Sequence, residues 1–254
     1  KMCVIMKKDN IYIASCSFGK DSIATILLAL ENNEPLHRVV FSEVMFDNQN
    51  NISGEIPEHI TWIYNCAIPK LQKLGITCDV VRSEIDYIYY FRTKKRSEGK
   101  YKGMYYGFPI GGKCVINREC KIKPIKEYYK SFKEYNVIQY VGIAADEKLR
   151  LKRLKQNQIS LLDKYKFTEK MAYEKCKEYD LLSPIYNFSS RSGCWFCMNA
   201  KISGYQHIRK NHNYLWQKLI ELSKIKNLCS YGFKYGKTLQ EIEKLRSVLL
   251  NSRK

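Results

Sequence analysis

Short apolar runs alternate with segments of helical period along most of the chain. Ile11 to Ser15 reads as a buried strand, and Asp21 to Leu30 as a buried helix that stops before Asn32 and Asn33. His37 to Phe41 gives a second strand. His59 to Leu74 is helical with Gly75 as its stop, and Thr77 to Val81 gives a third strand. Further on, Lys121 to Tyr135 predicts a helix with Pro124 in its first turn, and Asn136 to Val141 another strand. A helix over Thr168 to Tyr179 starts at a Thr168 cap, and Asn213 to Lys224 and Thr238 to Asn251 read as closing helices. Alternation of this kind predicts an α/β fold: a doubly wound, mostly parallel sheet with helices on both faces and a C-terminal helical appendage. The expected division is an α/β domain over 1–190, interrupted by a basic insertion at 92–113, and a helical region over 191–254.

Composition narrows the class. The 254 residues are 45% hydrophobic and 27% charged, enough for a core and ordinary for a globular protein. No run approaches the ~20 apolar residues of a membrane helix, and no signal-peptide core precedes Ile11, so a cytoplasmic protein with no membrane partner is expected. Lys plus Arg is 44 against 25 acids, a net charge of +19. Such an excess suits a nucleic acid such as tRNA or DNA, although Lys-rich codon usage would produce it too. It is densest where Arg92, Lys94, Lys95, Arg96, Lys100 and Lys102 face only Glu98, with Tyr101, Tyr105, Tyr106 and Phe108 interleaved. That stretch reads either as a phosphate-gripping, base-stacking surface or as an ordinary surface loop.

Chemistry concentrates in three motifs. Ser17-Phe18-Gly19-Lys20-Asp21-Ser22 lies between a strand and an apolar helix, where backbone N–H groups and the helix N-terminus attract phosphate. Lys20 supplies charge, Ser17 and Ser22 hydroxyls, and Gly19 close backbone approach; no Walker A spacing is present. Glu43 and Asp47, at the end of the second strand, are candidates for Mg²⁺ or a ribose hydroxyl, or simply solvated acids. The second motif, Gly142-Ile143-Ala144-Ala145-Asp146-Glu147, opens from a strand end, where open α/β sheets bind ligands. Arg150 and Arg153 follow, three apart on one helix face, able to grip phosphate or to face solvent. The third pairs Cys114 and Cys120 with Cys194 and Cys197 as a potential tetrathiolate site, which suits an iron–sulfur cluster or Zn²⁺. Cys3, Cys16, Cys66, Cys78, Cys176 and Cys229 read as small core residues. His207 and His212, five apart, are poorly spaced for a shared helix face and read as non-ligands.

The loop hexapeptide resembles the Ser-Gly-Gly-x-Asp-Ser signature of PP-loop ATP pyrophosphatases, with Phe18 replacing the first glycine. The segment from Gly142 to Arg153 resembles the Gly-Ile-Arg-x-x-Glu-Ser-x-x-Arg segment of PAPS reductase-like proteins, with Ala144 in place of the arginine. The cysteine pairs, the first followed by Lys121-Ile122-Lys123-Pro124-Ile125, resemble iron–sulfur members of that family and, in spacing, DNA-phosphorothioation proteins. The chain is therefore similar to the PAPS reductase-like branch of the adenine nucleotide α-hydrolase superfamily. The resemblance implies a HUP-like fold and ATP with Mg²⁺. Lys20, Asp21 and Asp47 would be catalytic, and Ser17 to Ser22, Gly142, Asp146, Glu147, Arg150 and Arg153 would bind nucleotide. It further implies a [4Fe–4S] cluster (alternatively Zn²⁺) on the four cysteines, with a sulfur-donor protein as a further partner. The implied reaction is AMP-forming activation of a substrate for sulfur transfer. The alternatives are a PAPS or APS reductase and a non-catalytic nucleic-acid-binding module; the tail, Lys237 to Lys254, lacks the cysteine that reductases of this family carry.

Overall fold

The computed structural model describes residues 8–109, 114–234 and 236–244. The strands are β1 (Asn10–Ser15), β2 (Arg38–Glu43), β3 (Met45–Asp47), β4 (Ile52–Ser53), β5 (Cys78–Arg82), β6 (Asn136–Val141) and β7 (Gln158–Ile159). The helices are α1 (Lys20–Glu31), α2 (Pro57–Trp62), α3 (Ile68–Lys73), α4 (Tyr89–Arg92), α5 (Lys123–Lys130), α6 (Lys148–Leu151), α7 (Leu161–Lys164), α8 (Glu169–Glu178), α9 (Ile202–Asn211) and α10 (Asn213–Ser223). The chain forms two compact units, each discontinuous in sequence. Unit 1 holds the described parts of Lys1–Ser42, Glu58–Val81 and Ile122–Ser192; unit 2 holds those of Glu43–Pro57, Arg82–Lys121 and Gly193–Lys254. Segments 43–57 and 82–121 thus cluster with the C-terminal region, whereas the sequence reading grouped them with the first domain.

Unit 1 is the expected α/β layer structure. Its sheet runs β5-β2-β1-β6-β7, and β1 pairs in parallel with both β2 and β6. Strand alternation divides the apolar side chains between two faces. Ile11, Ile13 and Val40 meet Ile125, Tyr128 and Phe132 from around α5. Ala14, Val39, Phe41 and Tyr140 meet α1, Leu161, Leu162 and Ala172. α1 is buried at eight positions from Ser22 to Ala29, which is why its sequence is apolar all round. The helix expected over 59–74 is present as α2 and α3 joined by a π-helical turn, Ile63–Ala67. Gly75, at φ +80°, ends it. A second π-helical turn, Asn117–Ile122, leads into α5, which stops at Lys130 rather than Tyr135. Thr168 caps α8 as expected, its hydroxyl accepting the Met171 N–H at 3.3 Å.

Unit 2 is organised around aromatic rings rather than a large sheet. Phe46, Tyr87, Phe91, Phe108, Trp195, Phe196 and Phe233 are all buried and touch in sequence around the cluster. The antiparallel pair β3–β4 carries its edge to Trp195, whose N–H groups reach Gly54 O and Ser53 O, each at 2.9 Å. The basic stretch folds back as a hairpin-like strap. Lys95 bridges Tyr105, and Tyr106 N–H donates to Lys94 O. Arg96 lies 4.1 Å over the Tyr106 ring and Lys95 4.9 Å over Tyr105. Four residues of the expected insertion, 110–113, lie outside the described residues. Residues 239–244 are helical, and the rest of the helix expected to Asn251 lies outside the described part. No helix among the described residues is long and apolar enough to cross a membrane.

Gly54 fixes the β3–β4 corner. A Cβ there would sit 2.7 Å from Val44 O and 3.0 Å from the Phe196 ring. Gly54→Ala is expected to cost about 1–3 kcal/mol by overpacking. The check is urea unfolding, with Gly75→Ala as a control at a site with open space but a positive φ.

Candidate functional site

In unit 1, β1 ends at Ser15 and the chain turns through 16–19 into α1. The turn is built from inside. Cys16 is buried; its sulfur accepts the Phe18 N–H at 3.2 Å, and its thiol donates to Ser22 Oγ at 3.4 Å. Phe18 has φ +55°, a left-handed conformation unfavourable for a residue with a Cβ, and its ring packs edge-on against Phe41 at 5.3 Å. A glycine would take that backbone freely; here ring burial offsets the strain. Gly19 is the N-cap of α1, and a Cβ on it would meet Ser192 Oγ at 3.0 Å and Tyr186 OH at 3.2 Å. The first-turn N–H groups of α1 face outward from the helix end, as in any α-helix. That of Lys20 donates to Tyr186 OH at 2.7 Å.

The second segment presses on this turn. Gly142 follows β6, and a Cβ at that position would lie 2.7 Å from Ser22 N and 2.8 Å from Asp21 C. The parallel pairing of β1 and β6, in register from Asn10↔Asn136 to Ser15↔Val141, places it there. Beyond it, Glu147 folds back to accept the Ala144 N–H at 3.1 Å and an Arg150 contact at 2.5 Å. Asp146 accepts the Glu169 N–H at 3.2 Å, tying this loop to the start of α8. Arg150 and Arg153 are exposed, on and just after α6.

Lys20 is the loop's cation, and two carboxylates hold it: Asp21 at 2.9 Å and Glu169 at 2.8 Å. Burial lowers its pKa, but those two contacts outweigh it and hold the ammonium above the ordinary lysine value. Asp21 is pushed the other way. Burial, with Glu169 and Glu147 adding to it, raises its carboxyl above 3.8 despite the Lys20 contact. His59 is fully buried beneath the loop. Its Nε2 lies 3.1 Å from Ser17 O, which can only accept, so Nε2 carries a proton and donates there; Nδ1 meets Ser183 Oγ at 2.8 Å. Cys176 donates to Lys20 O at 3.1 Å, and burial pushes its thiol up to about 12. Ser17 to Ser22, Gly142, Asp146 and Glu147 therefore converge within one unit. Sequence reasoning missed His59, Glu169, Tyr186 and Ser192. For Glu169 a signal existed, since it opens a well-capped helix; for the others no local pattern marks the role.

Glu43 and Asp47 lie in unit 2, at the end of β2 and in β3. Glu43 is buried and paired with Arg82 at 2.7 Å. Asp47 is buried as well, and its carboxylate caps a turn, accepting the Asn50 N–H at 3.0 Å and the Asn50 amide at 2.7 Å. Burial alone would raise its pKa, but the Asn50 and Gln49 hydrogen bonds hold it below the ordinary value.

The four cysteines all belong to unit 2. Cys114 precedes the π-helical turn that carries Cys120; Cys194 and Cys197 flank Trp195 and Phe196. Cys194 is bridged to Glu55, and its backbone O accepts the Cys197 N–H at 3.0 Å. Cys194 lies within electrostatic reach of Cys114 and Cys197, and Cys120 within reach of Cys114. Burial pushes the Cys120 thiol up to about 12 and the Cys194 thiol well above its usual value. Buried thiols of that kind become thiolates when a cation replaces the proton. Among the described residues no three of these sulfurs lie within 4.8 Å of one another. The Tyr87 hydroxyl is buried with no hydrogen-bond partner among the described residues. His207 and His212 do meet, with ring centroids 5.9 Å apart, because α9 ends at Asn211 and a shared helix face is not required.

No family model matches the chain, and no curated protein sequence matches it. Among solved structures it is similar to the U34-tRNA thiolase NcsA from Methanococcus maripaludis with its [4Fe-4S] cluster, at TM-score 0.42 and 16% identity, covering 94% of this chain and 82% of that one.

Two substitutions separate loop geometry from loop charge. Gly142→Ala is expected to displace the first turn of α1 and lower the Tm by overpacking, checked by thermal melts. Asp21→Asn is expected to leave Tm at pH 7 unchanged or higher. A raised acid pKa means that stability is fullest below 3.8 and is lost as pH rises through the folded value, so at neutral pH the carboxylate costs stability. The difference between the two proteins should shrink below pH 4; a lower Tm for the variant at pH 7 would contradict this.

Proposed function

We propose that the chain is a PP-loop enzyme that cleaves ATP between the α and β phosphates to activate a substrate, such as tRNA or DNA, for sulfur transfer. The observation that carries this reading is the turn from β1 into α1, with Lys20 in the first turn of α1 and Gly142 pressed against it. Phosphates would lie on the first-turn N–H groups with Ser17, Gly19 and Ser22, and Lys20 would exchange its carboxylate partners for phosphate oxygens. Asp21 and Glu169, freed from that role, suit a bridging Mg²⁺. An oxygen of the acceptor attacks the α-phosphorus and pyrophosphate leaves. A sulfur nucleophile then attacks the activated carbon, and AMP departs with the oxygen. Positioning and charge neutralisation would carry the first step.

The cysteine centre fits a metal by donor chemistry: four thiols in one unit, two of them with strongly opposed ionisation. Four thiolates of this kind suit a [4Fe–4S] cluster, with Zn²⁺ as the alternative. When bound, such a cluster would carry sulfur or fix the fold of unit 2. The strap of 92–108, with Lys95 and Arg96 stacked on tyrosines and further lysines exposed, suits a polynucleotide backbone.

Anaerobically purified protein should release pyrophosphate from ATP faster with nucleic acid present, and Lys20→Ala should lower that rate ~10²–10³-fold. No release under any condition, with PAPS or APS bound more tightly than ATP, would move the assignment to a sulfonucleotide reductase.

A further inference from the structure

The Tyr87 hydroxyl is an anomaly. Its side chain is 1% exposed, and its oxygen has no hydrogen-bond partner among the described residues. Leaving a buried hydroxyl unpaired costs roughly 1–3 kcal/mol, and native structures rarely carry one without a reason. Slack in the packing does not explain it. The ring is held between Phe196 at 4.0 Å, Phe91 at 5.1 Å and Phe46 at 5.5 Å. The backbone is fixed as well: Tyr87 N–H donates to Met45 O at 3.1 Å, and Tyr87 O accepts the Tyr90 N–H at 3.3 Å. The ring is thus fixed against Phe196, which lies between Cys194 and Cys197 in the chain. Cys114, Cys194 and Cys197 all act on the hydroxyl electrostatically, as does Tyr205. The Tyr205 O–H points elsewhere, donating to Cys197 O at 2.7 Å.

We propose that Tyr87 donates a hydrogen bond to a sulfur of the metal centre held by Cys114, Cys120, Cys194 and Cys197, and so sets its reduction potential. The inference rests on the reading of these cysteines as a metal centre. A thiol is a weak acceptor, whereas a metal-bound thiolate or a cluster sulfide is negative and accepts well. The orphaned donor is therefore what a loaded site needs and what an empty one leaves stranded. Hydrogen bonds to cluster sulfurs stabilise the more reduced, more negative state and raise the potential. The surrounding rings exclude water, so no solvent donor can replace Tyr87.

The test compares wild type with Tyr87→Phe, which keeps the ring and removes only the oxygen. Both are reconstituted anaerobically with iron and sulfide, and separately left metal-free. The expected result has opposite signs in the two states. Metal-free Tyr87→Phe should melt at the same temperature or higher, because an unpaired hydroxyl has gone. The loaded variant should show a more negative midpoint potential by EPR-monitored titration and faster loss of iron to a chelator. Equal potentials and equal iron retention in the two loaded proteins would overturn the role of Tyr87 while leaving the cysteine centre intact. If wild type retains no iron after reconstitution, and Cys194→Ser changes nothing, the centre itself fails and the proposal falls with it.

Discussion

The loop depends on a contact that has room only for hydrogen. β6 lies beside β1 in register over six residue pairs, so the residue after β6 lands on the first turn of α1. At that place Gly142 leaves its neighbours Ser22 N and Asp21 C undisturbed; any side chain would push them away. Sheet register is therefore transmitted directly into the geometry of the helix end. The segment that follows brings Glu147 within electrostatic reach of Asp21, and Asp146 steadies the start of α8, which supplies Glu169 to Lys20. One backbone approach thus orders a strand end, a helix end and an ion cluster.

That cluster is nearly balanced without ligand. Lys20 is held by two acids, and Asp21 is an acid whose charge the surroundings oppose. Arrival of polyphosphate would break the lysine contacts and leave the acids seeking a cation. Anion and divalent cation would therefore stabilise each other's binding, which is linkage through shared charges rather than through any movement of the sheet.

Much of the unit 1 fold was legible because strand and helix periods there are clean: α1 is apolar at most of its buried positions, and Thr168 and Gly75 cap and stop helices by local rules. Two boundaries were not legible. The π-helical turns at 63–67 and 117–122 shift the helix phase without a distinctive residue pattern. Ser17 to Ser22 and Gly142 to Glu147 were readable as motifs, since chemistry and chain order coincide. Tyr186, Ser192 and His59 were invisible, because each acts through one hydrogen bond or close approach across more than forty residues of sequence. Asp47 looked like a ligand because it is an acid at a strand end, yet its carboxylate closes a turn with Asn50.

The division into units carries a consequence for synthesis. Neither unit is a contiguous stretch of chain; the path passes from one to the other five times before its end. Unit 1 lacks a segment until Ser192 has been made, and unit 2 lacks one until the chain beyond Gly193 follows. A polypeptide leaving the ribosome cannot therefore finish one unit and then begin the next. The central strand β1 must wait for β6, over a hundred residues later, with its apolar face uncovered. Closing loops of that length slows folding and leaves sticky surface exposed meanwhile. Protection of that surface while the chain is incomplete then bears on how much of it folds.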